Sequence, residues 1–280
     1  MRAPAKINLF LHVGGKRADG YHALQSLAAF TEAGDELRFS PGKGLRLVLE
    51  GPFAAALRPE EDNLVLKAGR ALKARAGIAG GAEIVLSKNL PVASGIGGGS
   101  ADCAAALRGL SQLWDLKLPQ QTLCDIAATL GSDVPVCVAS TPQWMEGRGE
   151  ILTALPPLPE LPVVLVNPGV AVSTAKVFAA LERRRGTDLP LPPHFADAKA
   201  LIAYLKTAAN DMEAPARRLA PVIGEVLDLL AAQRDVLLAR MSGSGATCFA
   251  LFAGEAAAEA AARAISASHP HWWVTATRFL

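Results

Sequence analysis

Glycine is concentrated in one short segment, between an apolar stretch that ends at Lys88 and an alanine-rich stretch that begins at Ala101. The segment reads Pro91-Val-Ala-Ser-Gly-Ile-Gly-Gly-Gly-Ser-Ala101, with glycine at four of the five positions 95–99. Closely spaced glycines let backbone N–H groups converge without obstruction by Cβ atoms, and a helix that starts behind them adds its positive dipole end. The pattern therefore predicts a phosphate-binding loop, with a flexible turn as the alternative.

A second glycine turn, Ser242-Gly-Ser-Gly-Ala246, lies between two apolar segments near the C-terminus. Its spacing alone favours a plain hairpin, in which glycine supplies the positive φ. A functional role would require this half of the chain to fold back against the first glycine loop.

Lys6 and Asp133 are the candidates for acid–base chemistry. A lysine beside a carboxylate in a dry cleft can activate a hydroxyl, because the aspartate accepts the proton while the lysine keeps it ionised and neutralises phosphate charge. Spacing alone favours plainer roles: Asp133 as a helix cap before Pro135, and Lys6 as a surface side chain whose stem lies on apolar neighbours.

Apolar periodicity predicts the elements that position these residues. The alternation from Lys6 to Val13 predicts a half-buried strand that ends at Gly14 and places Lys6 and Asn8 on one face. In the first half we also predict strands at 35–40, 45–50 and 82–88 and helices at 63–76, capped by Asp62, at 101–114 and at 119–131. In the second half we predict strands at 163–167, 236–241, 247–252 and 272–279 and helices at 173–184, 197–206, 211–233 and 255–268. The proline-rich stretch 156–162 predicts a domain boundary, which gives domains 1–155 and 156–280.

Composition excludes several classes of protein. The chain has 280 residues, with 28 Lys+Arg against 26 Asp+Glu, a balance that argues against nucleic-acid binding and against a polybasic membrane anchor. No apolar run approaches the roughly 18 residues of a spanning helix, and polar residues interrupt the N-terminal run that a signal peptide needs. The four cysteines and five histidines show no metal-binding spacing, so we predict reduced thiols, no protein metal site and a cytoplasmic location.

Several segments together resemble the GHMP small-molecule kinases. The three motifs of that family correspond, in order, to 3–9, 91–101 and 241–249. The segments 17–22, 97–102 and 131–135 are similar to the branch that phosphorylates a cytidine-diphosphate-linked methylerythritol in isoprenoid synthesis. The resemblance spans essentially the whole chain.

The resemblance implies an α+β fold of two domains. The N-terminal domain would contain a left-handed β-α-β unit, an exception to the usual crossover hand, and the C-terminal domain would be a ferredoxin-like α/β sandwich. It also implies that Asp133 takes the proton from a tertiary hydroxyl, that Lys6 is its electrostatic partner, and that ATP lies along the first glycine loop.

The ligand-binding residues are likewise implied by the resemblance. The ATP-binding candidates are Asn63, Lys88, Pro91, Ala93, Ser94, Gly95, Gly97, Gly98, Gly99, Ser100 and Ala101. The substrate-binding candidates are Asn8, Tyr21, His22, Thr174, Phe178, Gly243 and Ser244. Plainer roles stay open for five of them: Asn63 as a helix cap, Lys88 as a solvated strand end, Tyr21 as a half-exposed core aromatic, His22 as a turn residue after Gly20, and Phe178 as a core aromatic.

Gly98 and Gly99 stand where many GHMP kinases carry two serines, one of which can bind magnesium. The cytidylyl branch resembles this chain in having glycines there. We therefore expect Mg²⁺ to arrive with ATP, bridging phosphate oxygens, and we name no protein ligand for it.

Two other functions remain open at this stage. One is a GHMP kinase for another alcohol, such as homoserine or mevalonate, against which the Tyr21-His22 segment argues. The other is a non-catalytic sensor with the same fold, against which the presence of both Lys6 and Asp133 argues. The sequence gives no indication of oligomeric state.

Overall fold

The computed structural model describes residues 1–18, 20–57, 63–192 and 194–280. The chain divides into two compact units that interleave along the sequence. Unit 1 comprises residues 1–6, 34–92 and 97–140, and unit 2 comprises residues 7–33, 93–96 and 141–280. The boundary between domains 1–155 and 156–280 stays a prediction.

The first two strands contribute residues to both units. Strand β1 spans Arg2–Lys16 and strand β2 spans His22–Gly42. The predicted end of β1 at Gly14 is wrong by two residues, because glycine in this strand does not interrupt its extended backbone.

A parallel β-α-β unit forms the sheet side of unit 1. Strand β3 (Leu45–Glu50) pairs in parallel with β4 (Gly81–Ser87), and helix α1 (Leu64–Ala76) connects them. The C-terminal part of β2 pairs with β4 in the antiparallel sense. A short 3-10 helix, Ala54–Ala56, precedes α1.

Three more helices complete unit 1: α2 (Gly98–Leu113), α3 (Gln120–Leu130) and α4 (Val134–Ala139). Helix α2 packs against α1 and α4, and its alanines are almost entirely buried. It begins three residues before the predicted start at Ala101, because the glycines at its N-terminus adopt helical geometry instead of a separate turn.

Unit 2 is built on a four-stranded antiparallel sheet in the order β10-β7-β9-β8. Its strands are β7 (Pro162–Asn167), β8 (Val236–Met241), β9 (Cys248–Phe252) and β10 (Trp273–Arg278). Its helices are α5 (Thr174–Ala179), α6 (Ala198–Thr207), α7 (Glu213–Leu219), α8 (Val222–Ala231) and α9 (Glu255–Ser268). Helices α8 and α9 pack on the sheet and bury one apolar core with it.

Two predictions about unit 2 are wrong in extent, and two of its strands were missed. The single helix predicted over 211–233 is two helices, because Pro221 has no N–H to continue the ladder beyond α7. Helix α5 ends at Ala179, five residues before its predicted end at Arg184. Strands β5 (Gln143–Glu146) and β6 (Ile151–Ala154), which form a hairpin, were not predicted.

A substitution at one glycine of α2 tests how tightly unit 1 is packed. A Cβ built on Gly109 would overlap the ring of Phe39 on β2. We expect Gly109→Ala to lower the free energy of unfolding by about 1–3 kcal/mol, since overpacking outweighs the gain in helix propensity. Chemical denaturation with circular dichroism measures the change.

Gly80→Ala is the matched control. A Cβ at Gly80 would meet only Ile78 Cγ2, at 3.9 Å, which is ordinary contact. Equal stability of the two variants would contradict the packing described for α2.

Candidate active site

Lys6 and Asp133 form an ion pair within unit 1. Lys6 Nζ donates a hydrogen bond to Asp133 Oδ2 over 2.8 Å. The Lys6 side chain is 3% exposed, whereas that of Asp133 is 44% exposed. The ammonium is therefore buried while the carboxylate remains open to a ligand.

The backbone around Asp133 explains why its carboxylate is available. Asp133 is the N-cap residue of α4, with Pro135 in the first turn of that helix, but its side chain makes no capping hydrogen bond. Because Pro135 has no N–H, one donor that a cap would satisfy is missing. The helix-cap role left open for Asp133 is wrong, and so is the surface role for Lys6.

Each partner shifts the pKa of the other. Burial alone would lower the pKa of Lys6, but the attraction of Asp133 outweighs it, so the net shift is upward. The Lys6 ammonium lowers the pKa of Asp133 against the opposing effect of burial. Both groups are consequently ionised at neutral pH.

Arg108, on α2, ties together the two elements that carry this pair. Its Nη1 donates to the carbonyls of Cys137 (2.7 Å) and Val138 (2.9 Å) at the end of α4. Its Nη2 donates to the Arg2 carbonyl on β1 over 3.0 Å. Sequence reasoning missed Arg108, although a single arginine in an alanine- and leucine-rich helix was the available signal.

The first glycine loop leads directly into α2. Gly97 is the N-cap residue with φ +64, so the chain enters the helix through a left-handed conformation that favours glycine. A Cβ on Gly97 would lie 3.2 Å from Lys6 Cβ, and one on Gly98 would lie 3.1 Å from Lys88 Nζ. Since Gly97 has no side chain to cap the helix, the N–H groups of the first turn are left for an anion.

Lys88 lies at the end of β4 between two buried carboxylates. Its Nζ is 2.5 Å from Asp35 Oδ2 and 2.7 Å from Asp102 Oδ2. The solvated strand end left open for Lys88 is wrong, because its side chain is 2% exposed. Its role on the adenine side stays a prediction, and sequence reasoning did not find its two partners.

Asn63 caps α1, since its Oδ1 accepts a hydrogen bond from the Val65 N–H over 2.9 Å. The capping alternative for Asn63 is therefore confirmed, and its predicted contact with ATP stays a prediction. Asp62, which we predicted as the cap of this helix, lies outside the described residues.

In unit 2, the middle of the first glycine loop contacts the second glycine turn. Ser242 Oγ donates to the Gly95 carbonyl over 3.0 Å, and the Thr247 N–H donates to the Ser94 carbonyl, also over 3.0 Å. A Cβ on Gly95 would lie 2.5 Å from the Gly245 carbonyl oxygen. The turn joins β8 to β9 as a hairpin, as its spacing predicts, and it also makes the contact that a functional role required.

The predicted substrate residues of unit 2 form three small groups. The rings of His22 and Phe178 are parallel within 7°, with centroids 5.7 Å apart. The hydroxyls of Thr174 and Ser244 are 2.7 Å apart. Asn8 Nδ2 donates to Ser26 Oγ over 2.8 Å.

Tyr21 is not a core residue, since 58% of it is exposed. The guanidinium of Arg148 lies 5.3 Å from the centroid of its ring. Sequence reasoning missed Arg148.

Gly243 has φ +55, and its carbonyl accepts from Asn210 Nδ2 over 2.8 Å, which holds the second glycine turn in place.

The described residues contain neither a metal-binding cluster nor a membrane-spanning helix. Over the described ranges, no group of three or more His, Cys, Asp or Glu side chains is arranged to hold a metal ion. All four cysteines are free thiols. Within the same residues, no helix combines the length and apolar character needed to cross a membrane.

Comparison with known proteins shows the family to which the chain belongs. The chain matches the family "GHMP kinases N terminal domain" over residues 63–141 and "GHMP kinases C terminal" over residues 195–271. It is 51% identical over 280 residues to a 4-diphosphocytidyl-2-C-methyl-D-erythritol kinase of Paramagnetospirillum magneticum, covering 100% of this chain and 98% of that one. It is 53% identical to the kinase of the same name from Cereibacter sphaeroides, covering 99% and 98%.

A solved structure agrees with these relatives. The crystal structure of a 4-(cytidine 5'-diphospho)-2C-methyl-D-erythritol kinase superposes with a TM-score of 0.81 at 34% identity, covering 100% of this chain and 99% of that one. The two-domain α+β GHMP kinase fold implied by the motifs is thus confirmed. The chain belongs to the 4-diphosphocytidyl-2-C-methyl-D-erythritol kinase family of GHMP kinases.

The effect of Lys6 on the pKa of Asp133 can be tested without substrate. In Lys6→Met the attraction that lowers the pKa of Asp133 is lost while burial, which raises it, remains. We expect the pKa of Asp133 to rise to its ordinary range of about 3.9 or above. A ¹³C NMR titration of the carboxyl groups measures it, with the Asp133 resonance assigned from Asp133→Asn.

Lys6→Arg keeps the positive charge and is the matched control, in which the Asp133 pKa should stay low. An unchanged titration midpoint in Lys6→Met would show that the ion pair does not form in solution.

Proposed function

We propose that the chain transfers the γ-phosphoryl group of ATP to the tertiary 2-hydroxyl of 4-diphosphocytidyl-2-C-methyl-D-erythritol, a step of the non-mevalonate route to isoprenoid precursors. The observation that carries the mechanism is the 2.8 Å contact between Lys6 Nζ and a partly exposed Asp133 carboxylate. The relatives that share half of the sequence bear the name of this kinase, which supports the choice of substrate.

Asp133 is the base of the proposed reaction. Its carboxylate accepts the proton of the substrate hydroxyl as the O–H bond breaks. The hydroxyl oxygen then forms a bond to the γ-phosphorus, and the bond between the γ-phosphorus and the bridging oxygen of the β-phosphate breaks to release ADP. Lys6 keeps Asp133 ionised and offsets negative charge near the transferred group. The transfer is direct and in line, so no phosphoenzyme forms.

The first glycine loop is the proposed ATP site. The open N–H groups at the start of α2 suit a triphosphate, because they combine hydrogen-bond donors with the positive end of the helix dipole. Mg²⁺ would arrive with ATP and would offset phosphate charge, and we name no protein ligand for it. Pro91, Ala93, Ser100 and Ala101 complete the loop residues that we assign to ATP.

The cytidine end is proposed to bind beside Tyr21, His22 and Phe178. The parallel rings of His22 and Phe178 and the exposed ring of Tyr21 offer aromatic faces to a base. Stacking on such faces contributes about 1–3 kcal/mol per base. Asn8, Thr174, Gly243 and Ser244 are left to hold the hydroxyl and phosphate groups.

We also infer that the enzyme works in the cytoplasm on a small-molecule substrate. Four unpaired cysteines, three of them buried, are typical of a protein kept in a reducing compartment.

A substrate panel tests the proposed function. The purified chain is incubated with MgATP and one candidate alcohol at a time, and ³¹P NMR detects ADP and the new phosphomonoester. We expect product only with the cytidylyl methylerythritol. Product from homoserine or mevalonate would favour a kinase for another alcohol, and ATP binding without product from any of them would favour a sensor.

Removal of the proposed base, Asp133, should lower the turnover number. We expect Asp133→Asn to lower kcat by about 10²–10⁴-fold, the usual contribution of a positioned general base, with ATP affinity nearly unchanged. Coupled ADP-release kinetics and ATP-binding calorimetry measure the two quantities. Asp228→Asn, at an exposed position of α8, is the matched control. Near-normal turnover of Asp133→Asn would falsify the base assignment.

Tyr21 tests the cytidine site. We expect Tyr21→Ala to raise KM for the cytidylyl substrate by about 5- to 100-fold through loss of stacking, while ATP affinity stays the same. Tyr21→Phe keeps the ring and should behave like the original enzyme. A similar loss of affinity for both ligands in Tyr21→Ala would indicate that Tyr21 only supports the fold.

A further inference from the structure

The cluster under the first glycine loop carries more negative than positive charge. Lys88 supplies one ammonium, and Asp35 and Asp102 supply two carboxyl groups within 2.5 Å and 2.7 Å of it. All three side chains are at most 4% exposed. With both carboxyls ionised, a net negative charge would be buried in unit 1, which is costly in a medium of low dielectric constant.

The two carboxyls differ in their hydrogen bonding. Asp35 Oδ1 accepts from the backbone N–H groups of Asn89 (2.6 Å) and Leu90 (2.8 Å), and its Oδ2 faces Lys88. Both oxygens of Asp35 are thus paired. Asp102 Oδ1, by contrast, is buried and has no hydrogen-bond partner among the described residues.

An ionised Asp102 would therefore leave one charged oxygen both buried and unpaired, the costliest arrangement for such a group. Burial is the first cause that raises the pKa of Asp102, to about 8, with Lys88 opposing and Asp35 adding to the shift. Lys88 keeps its own proton, since the two carboxyls outweigh burial and raise its pKa. The proton that neutralises the cluster consequently resides on Asp102.

The cluster lies next to both ends of the first glycine loop, the proposed ATP site. Asp35 holds the chain at Asn89 and Leu90, just before the loop, and Asp102 lies just beyond the first turn of α2. Lys88 Nζ lies directly beneath Gly98, only 3.1 Å from where a Cβ would be. The three residues thus join the two ends of the loop that we propose as the ATP site.

We propose that Asp35, Lys88 and Asp102 form a proton-holding cluster that positions the phosphate loop, and that one proton on Asp102 keeps the cluster neutral so that the loop can bind a polyanion. The proposal rests on the ATP site of the proposed function. Loss of that proton places a negative charge behind the loop and weakens the binding of MgATP. Binding of MgATP in turn draws a proton back onto Asp102 by linkage.

Three titratable groups of the described residues interact with Asp102: Asp35 on β2, Lys88 immediately after β4 and the neighbouring Cys103 on α2. Burial raises the pKa of Cys103 to about 12, so its thiol keeps its proton across the range of interest. The pH dependence of binding between pH 7 and 9 therefore reports on Asp102.

Calorimetry of MgATP binding tests the proposal. Between pH 7 and 9, above the second phosphate ionisation of about 6, the affinity of the original chain should fall by about tenfold as Asp102 ionises. Asp102→Asn, which mimics the neutral acid, should bind MgATP within about threefold of the original at pH 7 and lose the pH dependence. Asp125→Asn, at an exposed position of α3, should keep the original pH dependence.

A second measurement uses the unaltered chain, so it stands even if Asp102→Asn does not fold. Calorimetry at pH 8 in buffers of different ionisation enthalpy should show net proton uptake on binding. An affinity that does not change from pH 7 to 9, or binding without proton uptake, would overturn the proposal. So would a folded Asp102→Asn chain that retains the original pH dependence. If the original chain binds no MgATP at all, the ATP site itself is wrong, which is a failure of the proposed function instead.

Discussion

A buried ammonium needs a counter-charge, and this constraint governs the candidate active site. Lys6 Nζ lies 2.8 Å from Asp133 Oδ2 with almost no access to solvent, so without an ionised Asp133 it would carry an unpaired buried charge costing several kcal/mol. The contact that stabilises Lys6 also lowers the pKa of Asp133 and makes it a weaker base. The rate enhancement must then come mainly from positioning and from neutralising phosphate charge, as is usual in phosphoryl transfer.

The two buried lysines of unit 1 meet this constraint in different ways. Lys6 has one carboxylate, and that carboxylate is partly exposed, so the pair is neutral and can face a substrate. Lys88 has two carboxyls, both buried, so its cluster is neutral only with an added proton. The first arrangement suits a group that accepts a proton from a substrate, whereas the second suits a support that does not itself contact the substrate.

Regular periodicity allowed β3, β8 and α9 to be predicted with the bounds that the structure has. The first half of β2 was missed because residues 25–31 are buried on both faces, so the strand shows no alternation. The Lys6–Asp133 pair came from resemblance to a family, since spacing favoured plainer roles for both residues. The partners of Arg108 and of Lys88 could not be predicted, because they depend on contacts between positions far apart in the chain, such as Asp35 and Lys88.

The glycines at the start of α2 pack directly against the two buried lysines. Gly97 lies against the Lys6 side chain, and Gly98 lies against the Lys88 ammonium, so a side chain at either position would press on a buried cation. A lysine at a surface could swing away, but Lys88 is held by two carboxyls and has no solvent to move into. A serine at 98 would therefore require this ammonium to move. Glycine at this position follows from the charge cluster beside it as much as from the proposed phosphate site.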